Sequence, residues 1–233
     1  MRNFYFILLF FVSFFSYPQK ELNLNNNLTV NILQVDNVTR NIGFNFIGDN
    51  TLILKKFDVN SNTNYSYLTD RQNELLQRVS FTYRTSKNNL NTYSFLTYQF
   101  NSSLIRKIET DHWIGLGYGI KGKIKNINLS GSYAVIFQDI IWDYDTRTYY
   151  RHSLRGKVRF TSDNFEVVSE YFYQPNMNNF DDYMIIGTSK FVIMPKNKLN
   201  FVIQDIINYN SITEVKLLHT ISLGIQYKLN KKF

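Results

Sequence analysis

Three histidines, His112, His152 and His219, are the side chains best placed by type for proton transfer near neutral pH. A serine hydrolase needs its nucleophile within hydrogen-bond reach of such a base, with a third group orienting it. On a strand, residues two apart share a face and adjacent ones do not. Ser153 directly follows His152 and so points the other way, while His112 and His219 have no serine two residues on. This spacing assigns no catalytic residue. Asp139, Asp143 and Asp145 could offer oxygens to a hard cation, but their spacing lacks the turn glycine and closing glutamate of a calcium loop. They read as a solvated acidic loop. The chain has no cysteine, which removes thiolate ligands, a thiol nucleophile and any disulfide framework. No metal and no cofactor is expected.

The sharpest pattern is a row of cations. Arg151, Arg155, Lys157 and Arg159, with Ser153 in the gap, alternate with His152, Leu154, Gly156, Val158 and Phe160. Such alternation marks a β-strand with one apolar side. The next run offers Glu166 and Glu170 on its polar face, and antiparallel neighbours could pair across. Two functions follow. A wall of Arg and Lys draws anions into a pore, or the charges pair with one another and plug the interior. The choice depends on the bore, and therefore on the elements that carry these residues.

Period-two alternation dominates beyond Gln19. Ile114, Leu116, Tyr118 and Ile120 oppose Gly115, Gly117, Gly119 and Lys121; Ile127, Leu129, Gly131, Tyr133, Val135 and Phe137 oppose Asn128, Ser130, Ser132 and Ala134. Leu217, His219, Ile221, Leu223, Ile225, Tyr227 and Leu229 alternate with mostly polar partners. Weaker runs cover Leu28–Val35, Arg40–Ile47, Leu52–Asn60, Glu74–Thr85, Tyr93–Ile105, Phe165–Tyr173, Asp182–Ile193 and Leu199–Asn208. The sum is about twelve strands, or ten if Leu52–Asn60 and its partner are loop. Short turns at Gly48-Asp49-Asn50, Ser86–Asn91, Gly122–Asn126, Thr161–Asn164 and Pro195–Lys198 alternate with longer connections at Ser61–Asn73, Asp139–Thr148 and Gln174–Asp181, a set in which Arg106–Glu109 and Tyr209–Glu214 are shorter than the pattern asks. Tight turns inside and longer loops outside suit an even-stranded barrel with both termini on one side. Twelve strands enclose a narrow bore that side chains can fill, whereas open channels have 16 or more. The plug is therefore the favoured interior.

Composition agrees. The 233 residues are 17% aromatic, with 20 Phe and 17 Tyr but only 3 Pro, a mixture suited to strands. Many runs reach ten residues or more, the length that crosses a bilayer. Aromatics gather near strand ends, as at membrane–water boundaries: Trp113, Trp142, Tyr144, Tyr149, Tyr150, Tyr173 and Tyr183 toward one rim, Tyr83, Tyr93, Phe160, Phe165 and Tyr227 toward the other. The fold class expected is all-β, an antiparallel transmembrane barrel. The formal charge of +8 is dispersed, with no Lys/Arg block and no binding motif, which argues against nucleic acid.

Met1-Arg2-Asn3, an apolar run from Phe4 to Phe15 and the polar boundary Ser16-Tyr17-Pro18 read as an export signal over residues 1–18, with the barrel over 19–233. The apolar run is too short to span as a helix. These features place the chain in the outer membrane of a Gram-negative cell. The partners expected are outer-membrane lipids and lipopolysaccharide, which divalent ions could bridge to the acidic loop, and the chain is expected to be monomeric.

Near the C-terminus Ser222, Gly224, Tyr227 and Leu229 resemble the assembly signal of outer-membrane barrels: a polar residue, a glycine two later, then two hydrophobics spaced by one. Phe233 ends the chain. The resemblance implies recognition by the barrel assembly machinery. The mature chain also resembles the DUF481 family of salt-induced outer-membrane proteins. The resemblance is carried by Leu28–Arg40, Arg71–Thr85 and the run from Tyr93 to Tyr118 with Gly115-Leu116-Gly117-Tyr118-Gly119. It departs at the first turn, where the family shows Gly-Asn and this chain has Asp36-Asn37. That resemblance implies a barrel and an outer-membrane address, and no defined activity. The function expected is non-enzymatic, with a structural, envelope-stress or small-solute passage role; the alternative is a lipid-modifying enzyme with its site at the extracellular rim.

Overall fold

The computed structural model describes residues 23–36, 42–54, 56–68, 72–85, 90–104, 107–142, 145–193, 198–213 and 215–232. Twelve strands follow one another: β1 Asn23–Asp36, β2 Ile42–Ile53, β3 Phe57–Leu68, β4 Gln72–Arg84, β5 Leu90–Ser103 and β6 Ile108–Ile124. They continue as β7 Ile127–Trp142, β8 Thr146–Thr161, β9 Phe165–Pro175, β10 Tyr183–Ile193, β11 Leu199–Asn210 and β12 Leu217–Lys232. Each pairs antiparallel with its sequence neighbours, and β1 pairs with β12 to close the barrel. Closure is what a bilayer demands, because an unpaired sheet edge in hydrocarbon would leave backbone groups without partners. Among the described residues no helix is long and apolar enough to cross a membrane.

Burial is inverted relative to a soluble barrel. Thr29, Asn31, Asn45, Gln99, Gln138, Arg151 and Gln174 are buried, while Leu116, Leu154, Phe201 and Ile221 are half or more exposed on the outer wall. The apolar face identified by alternation in β6, β7, β8 and β12 is that outer wall. Its aromatic ends form two bands. Tyr173, Tyr183 and Tyr209 contact in a chain at one end, and Phe160, Phe165 and Phe191 do so at the other. Trp113, Tyr149 and Tyr93, expected in these bands, are instead buried on the inner side. Their parity is that of inward residues on their own strands, Gly115 for Trp113, Arg151 for Tyr149, and Thr97 and Gln99 for Tyr93, so burial inside the barrel outweighs the aromatic preference for the boundary.

The end that holds both termini, called the turn end here, is closed by tight connections. Ile124 faces Ile127 across Lys125–Asn126, with Lys125 at φ 50°, the left-handed backbone such a turn needs. The opposite, loop end is less open than the sequence suggests. Strand pairing continues through most of Asp139–Thr148, and Asp139 stands opposite Thr148. Ser61–Asn73 is no loop either: β3 and β4 pair as far as Leu68 and Gln72. The expected turn at Gly48-Asp49-Asn50 lies inside β2, opposite Thr63, Asn62 and Ser61. The run Leu52–Asn60 straddles the β2–β3 hairpin, where Leu54 N–H donates to Phe57 O at 2.8 Å. The physical reason is the wet interior, which tolerates in mid-strand the Asn and Asp residues that elsewhere mark turns; Asn62 Nδ2 donates to Asp49 Oδ1 across the ladder. The export segment, Asp143, Tyr144 and Phe233 lie outside the described residues.

Candidate functional site

The charged interior falls into two tiers. At the loop end, Arg151 of β8 is fully buried. Its Nη2 donates to Asp182 Oδ1 at 2.8 Å and its Nε to Gln138 Oε1 at 2.7 Å. Nη1 donates to the carbonyls of Gln174 and Asp182. Gln138 in turn donates to Asp111 at 2.9 Å, and Asn176 to the second Asp182 oxygen at 3.0 Å. The guanidinium also lies 4.7 Å from the Tyr149 ring centre. A buried charge needs such complete pairing. Arg151 therefore clamps the 176–182 connection to the barrel and does not join Glu166 or Glu170, with which sequence grouped it. Asp182 and Gln138 carry no local signal that pairs them with Arg151, being 31 and 13 residues away. Beside this clamp, Ile108, Ile140 and Tyr149 form a buried apolar cluster, and Ile212 of the β11–β12 connection packs on it from across the mouth. Among the described residues, this packing of Ile212 narrows the loop end.

At mid-height, Arg155 Nε donates to Glu170 Oε1 at 2.5 Å and Lys157 Nζ to Glu170 Oε2 at 2.9 Å. Lys157 is the direct cross-strand partner of Glu170, and Arg155 sits one inward position along. Arg155 Nη1 reaches Tyr93 Oη of β5 at 3.3 Å. The glycine face of β6 permits that reach: a Cβ at Gly119 would collide with the Tyr93 ring, and one at Gly117 with Phe95. From β4, Arg78 donates twice to Gln99 Oε1 and stands 5.5 Å from the Trp113 ring centre and 5.0 Å from that of Phe172 on β9. β4 and β9 lie on nearly opposite walls of the closed sheet. The Arg78–Phe172 contact therefore crosses the bore.

Three cations, Arg78, Arg155 and Lys157, thus face one carboxylate, Glu170. Among the described residues Arg78 has no carboxylate within ion-pair distance. Toward the turn end, Lys190 Nζ lies 3.4 Å from Thr29 Oγ1, and Arg84 pairs with Asp58 at 2.7 Å. Arg159 faces inward but is exposed, and neither it nor Glu166 makes a side-chain ion pair with a described residue. Sequence missed Arg78, because its strand alternates weakly.

The histidines all lie on the outer wall. His112 Nδ1 shares a hydrogen bond with Tyr98 Oη at 2.8 Å, and His152 Nδ1 with Tyr133 Oη at 2.7 Å. Ser153 is buried inside, on the face opposite His152. His219 Nε2 meets Asp205 Oδ1 at 2.6 Å. Asp139 accepts from Thr148 and Asp145 from Arg147, so the acidic residues are separately engaged. Among the described residues no group of three or more metal-ligating side chains forms. In the assembly-signal set, Ser222 is buried inward, and Tyr227 and Leu229 are exposed on the outer wall. Gly224 stands beside Asn31 at the β1–β12 seam.

No family model matches the chain, and no curated protein matches it in sequence. Solved structures do resemble it. The NanC porin is similar with a TM-score of 0.59 and 11% identity, over 89% of this chain and 100% of that one. The KdgM porin in complex with disordered oligogalacturonate is similar with a TM-score of 0.52 and 10% identity, over 88% and 98%. The fold is porin-like. At these identities the likeness concerns architecture, and the DUF481 resemblance rests on its quoted residues alone.

Proposed function

We infer that the protein is an integral outer-membrane barrel that admits small anionic solutes when its interior opens. The observation that carries this reading is the mid-height tier, where Arg78, Arg155 and Lys157 leave a positive surplus over Glu170. Positive rings in a narrow, low-dielectric bore favour anions. In the conformation described, the Arg78–Phe172 contact and the Ile212 packing obstruct the path, so passage requires both to move. The plug expected from the cationic row and the anion path are then two states of one interior. The KdgM porin, similar in fold, is in complex with oligogalacturonate, a carboxylate-bearing sugar chain, which makes acidic sugars the first solutes to test.

The export signal and the Ser222–Leu229 motif support an outer-membrane address reached through the barrel assembly machinery. The turn end then faces the periplasm and the loop end the exterior. The reading is non-enzymatic, and the paired outer-wall histidines are given no catalytic part. An envelope-stress role would rest on the DUF481 resemblance alone. Reversal potentials in planar bilayers under a salt gradient test the proposal. Anion preference is expected; cation preference contradicts it.

A further inference from the structure

Asp205, hydrogen-bonded to His219, occupies an unusual place for a carboxylate. Asp205 shares the outer face of β11 with Phe201 and Ile203, and His219 that of β12 with Leu217 and Ile221, all four exposed. Asp205 lies four residues from Tyr209 in the loop-end aromatic band and six from Leu199 at the turn end. With a rise of about 3.4 Å per residue and a tilt of about 40°, it sits about 10 Å below one boundary and about 15 Å above the other. Asp205 therefore faces the hydrocarbon, while His219, opposite Ile207 and two residues from the Tyr209 level, lies about 5 Å below the loop-end boundary. Asp205 and His219 are joined there by a carboxylate–imidazole contact at 2.6 Å. Each side chain is more than a third exposed, at 37% and 38%. Lipid tails offer neither donor nor acceptor to the carboxylate of Asp205.

The polar patch continues sideways. Ser189 of β10 stands directly opposite Asp205. Its hydroxyl lies 3.2 Å from both Ser169 Oγ and Tyr171 Oη. Gly187, two residues before Ser189, keeps the wall low beneath the Tyr171 ring. One flank of the patch thus carries hydroxyl donors, on β9 and β10, and the other a carboxylate, on β11. Such a surface is self-complementary. Under a two-fold axis along the membrane normal, the hydroxyls of one copy meet the carboxylate of the other, twice over, as an isologous interface requires.

We propose that the β9–β12 outer wall, centred on Ser189 and Asp205, is the contact face between two copies of this chain in the membrane. This departs from the monomer expected on sequence and does not depend on what the lumen passes.

The protein has no cysteine, so Ser189→Cys introduces a single thiol. Oxidation of this variant in native membranes is expected to give a covalent homodimer as the main product. Leu96→Cys, exposed on β5 across the barrel, is the collision control and should stay below a tenth of that yield. Adding Asp205→Leu and His219→Leu should keep heat-modifiable gel migration, the mark of a folded barrel, while reducing Ser189→Cys cross-linking at least tenfold. Equal yields at the two cysteine positions, no homodimer, an adduct with another protein only, or cross-linking that survives the double leucine change would each overturn the proposal.

Discussion

Asn31 of β1 lies in the space that a side chain on Gly224 of β12 would fill. A Cβ at Gly224 would overlap both Asn31 Oδ1 and the Val30 carbonyl oxygen, at the point where the β1–β12 register shifts between Asn31 and Leu33. The glycine of the assembly motif therefore has a structural reason beyond recognition: the closing seam cannot hold a larger residue without moving backbone.

Gly224→Val is accordingly expected to fail in refolding into detergent micelles, where no assembly machinery is present. Loss of heat-modifiable migration would show it. Gly156→Ala, with open space around its Cβ position, should refold like the parent protein. Normal refolding of Gly224→Val would mean that the glycine serves recognition alone.

Arg151→Met removes the partner of a buried Asp182 and leaves Gln138 and the 176–182 connection without their donor. Breaking a buried pair on one side costs about 3–5 kcal/mol. The denaturant midpoint should fall accordingly, and Asp182→Asn should fall less, because it keeps an oxygen for Arg151. Asp145→Asn, which loosens an exposed pair with Arg147, should leave the midpoint unchanged. A midpoint unchanged by Arg151→Met would contradict the clamp.

Legibility followed the sharpness of alternation. In β6, β7, β8 and β12 the alternating apolar face meets lipid, with Ile136, Ile140 and Leu218 on the inward parity as exceptions, and the inward direction of Arg155 and Lys157 was readable from their own strand. Four lipid-facing cations on one strand would each cost about 2–4 kcal/mol near the midplane, which fixed the face. Register was less readable where both faces are polar. In β2 and β3, Asp49 points inward to Asn62 while Gly48, Asn50 and Ser61 fall on the outward parity, so small and polar residues on both faces imitate a turn and length could not separate the two. Long-range partners were hidden for a different reason. Arg151 with Asp182 and Arg78 with Phe172 meet only after the sheet has closed, and nothing local in either residue announces the other.

Glu170 is the only acid holding Arg155 and Lys157 among the described residues, so Glu170→Gln should loosen both and weaken the barrel. Loss of one partner from a mostly buried charge cluster is expected to lower the denaturant midpoint more than Asp145→Asn does. Equal and negligible effects would indicate that the interior is hydrated throughout, with no packed constriction.

The most direct test of the account is single-channel recording of the double variant Ile212→Ser, Phe172→Ala beside the parent protein. Ile212 packs on the loop-end cluster and Phe172 meets Arg78 across the bore, so the pair of changes removes both obstructions and leaves the cationic surplus in place. The parent should be silent or nearly so. The variant should conduct, with a reversal potential favouring chloride over potassium, and Arg78→Gln added to it should reduce that preference. A parent that conducts steadily without selectivity, or a double variant that passes cations in preference to anions, would contradict the account.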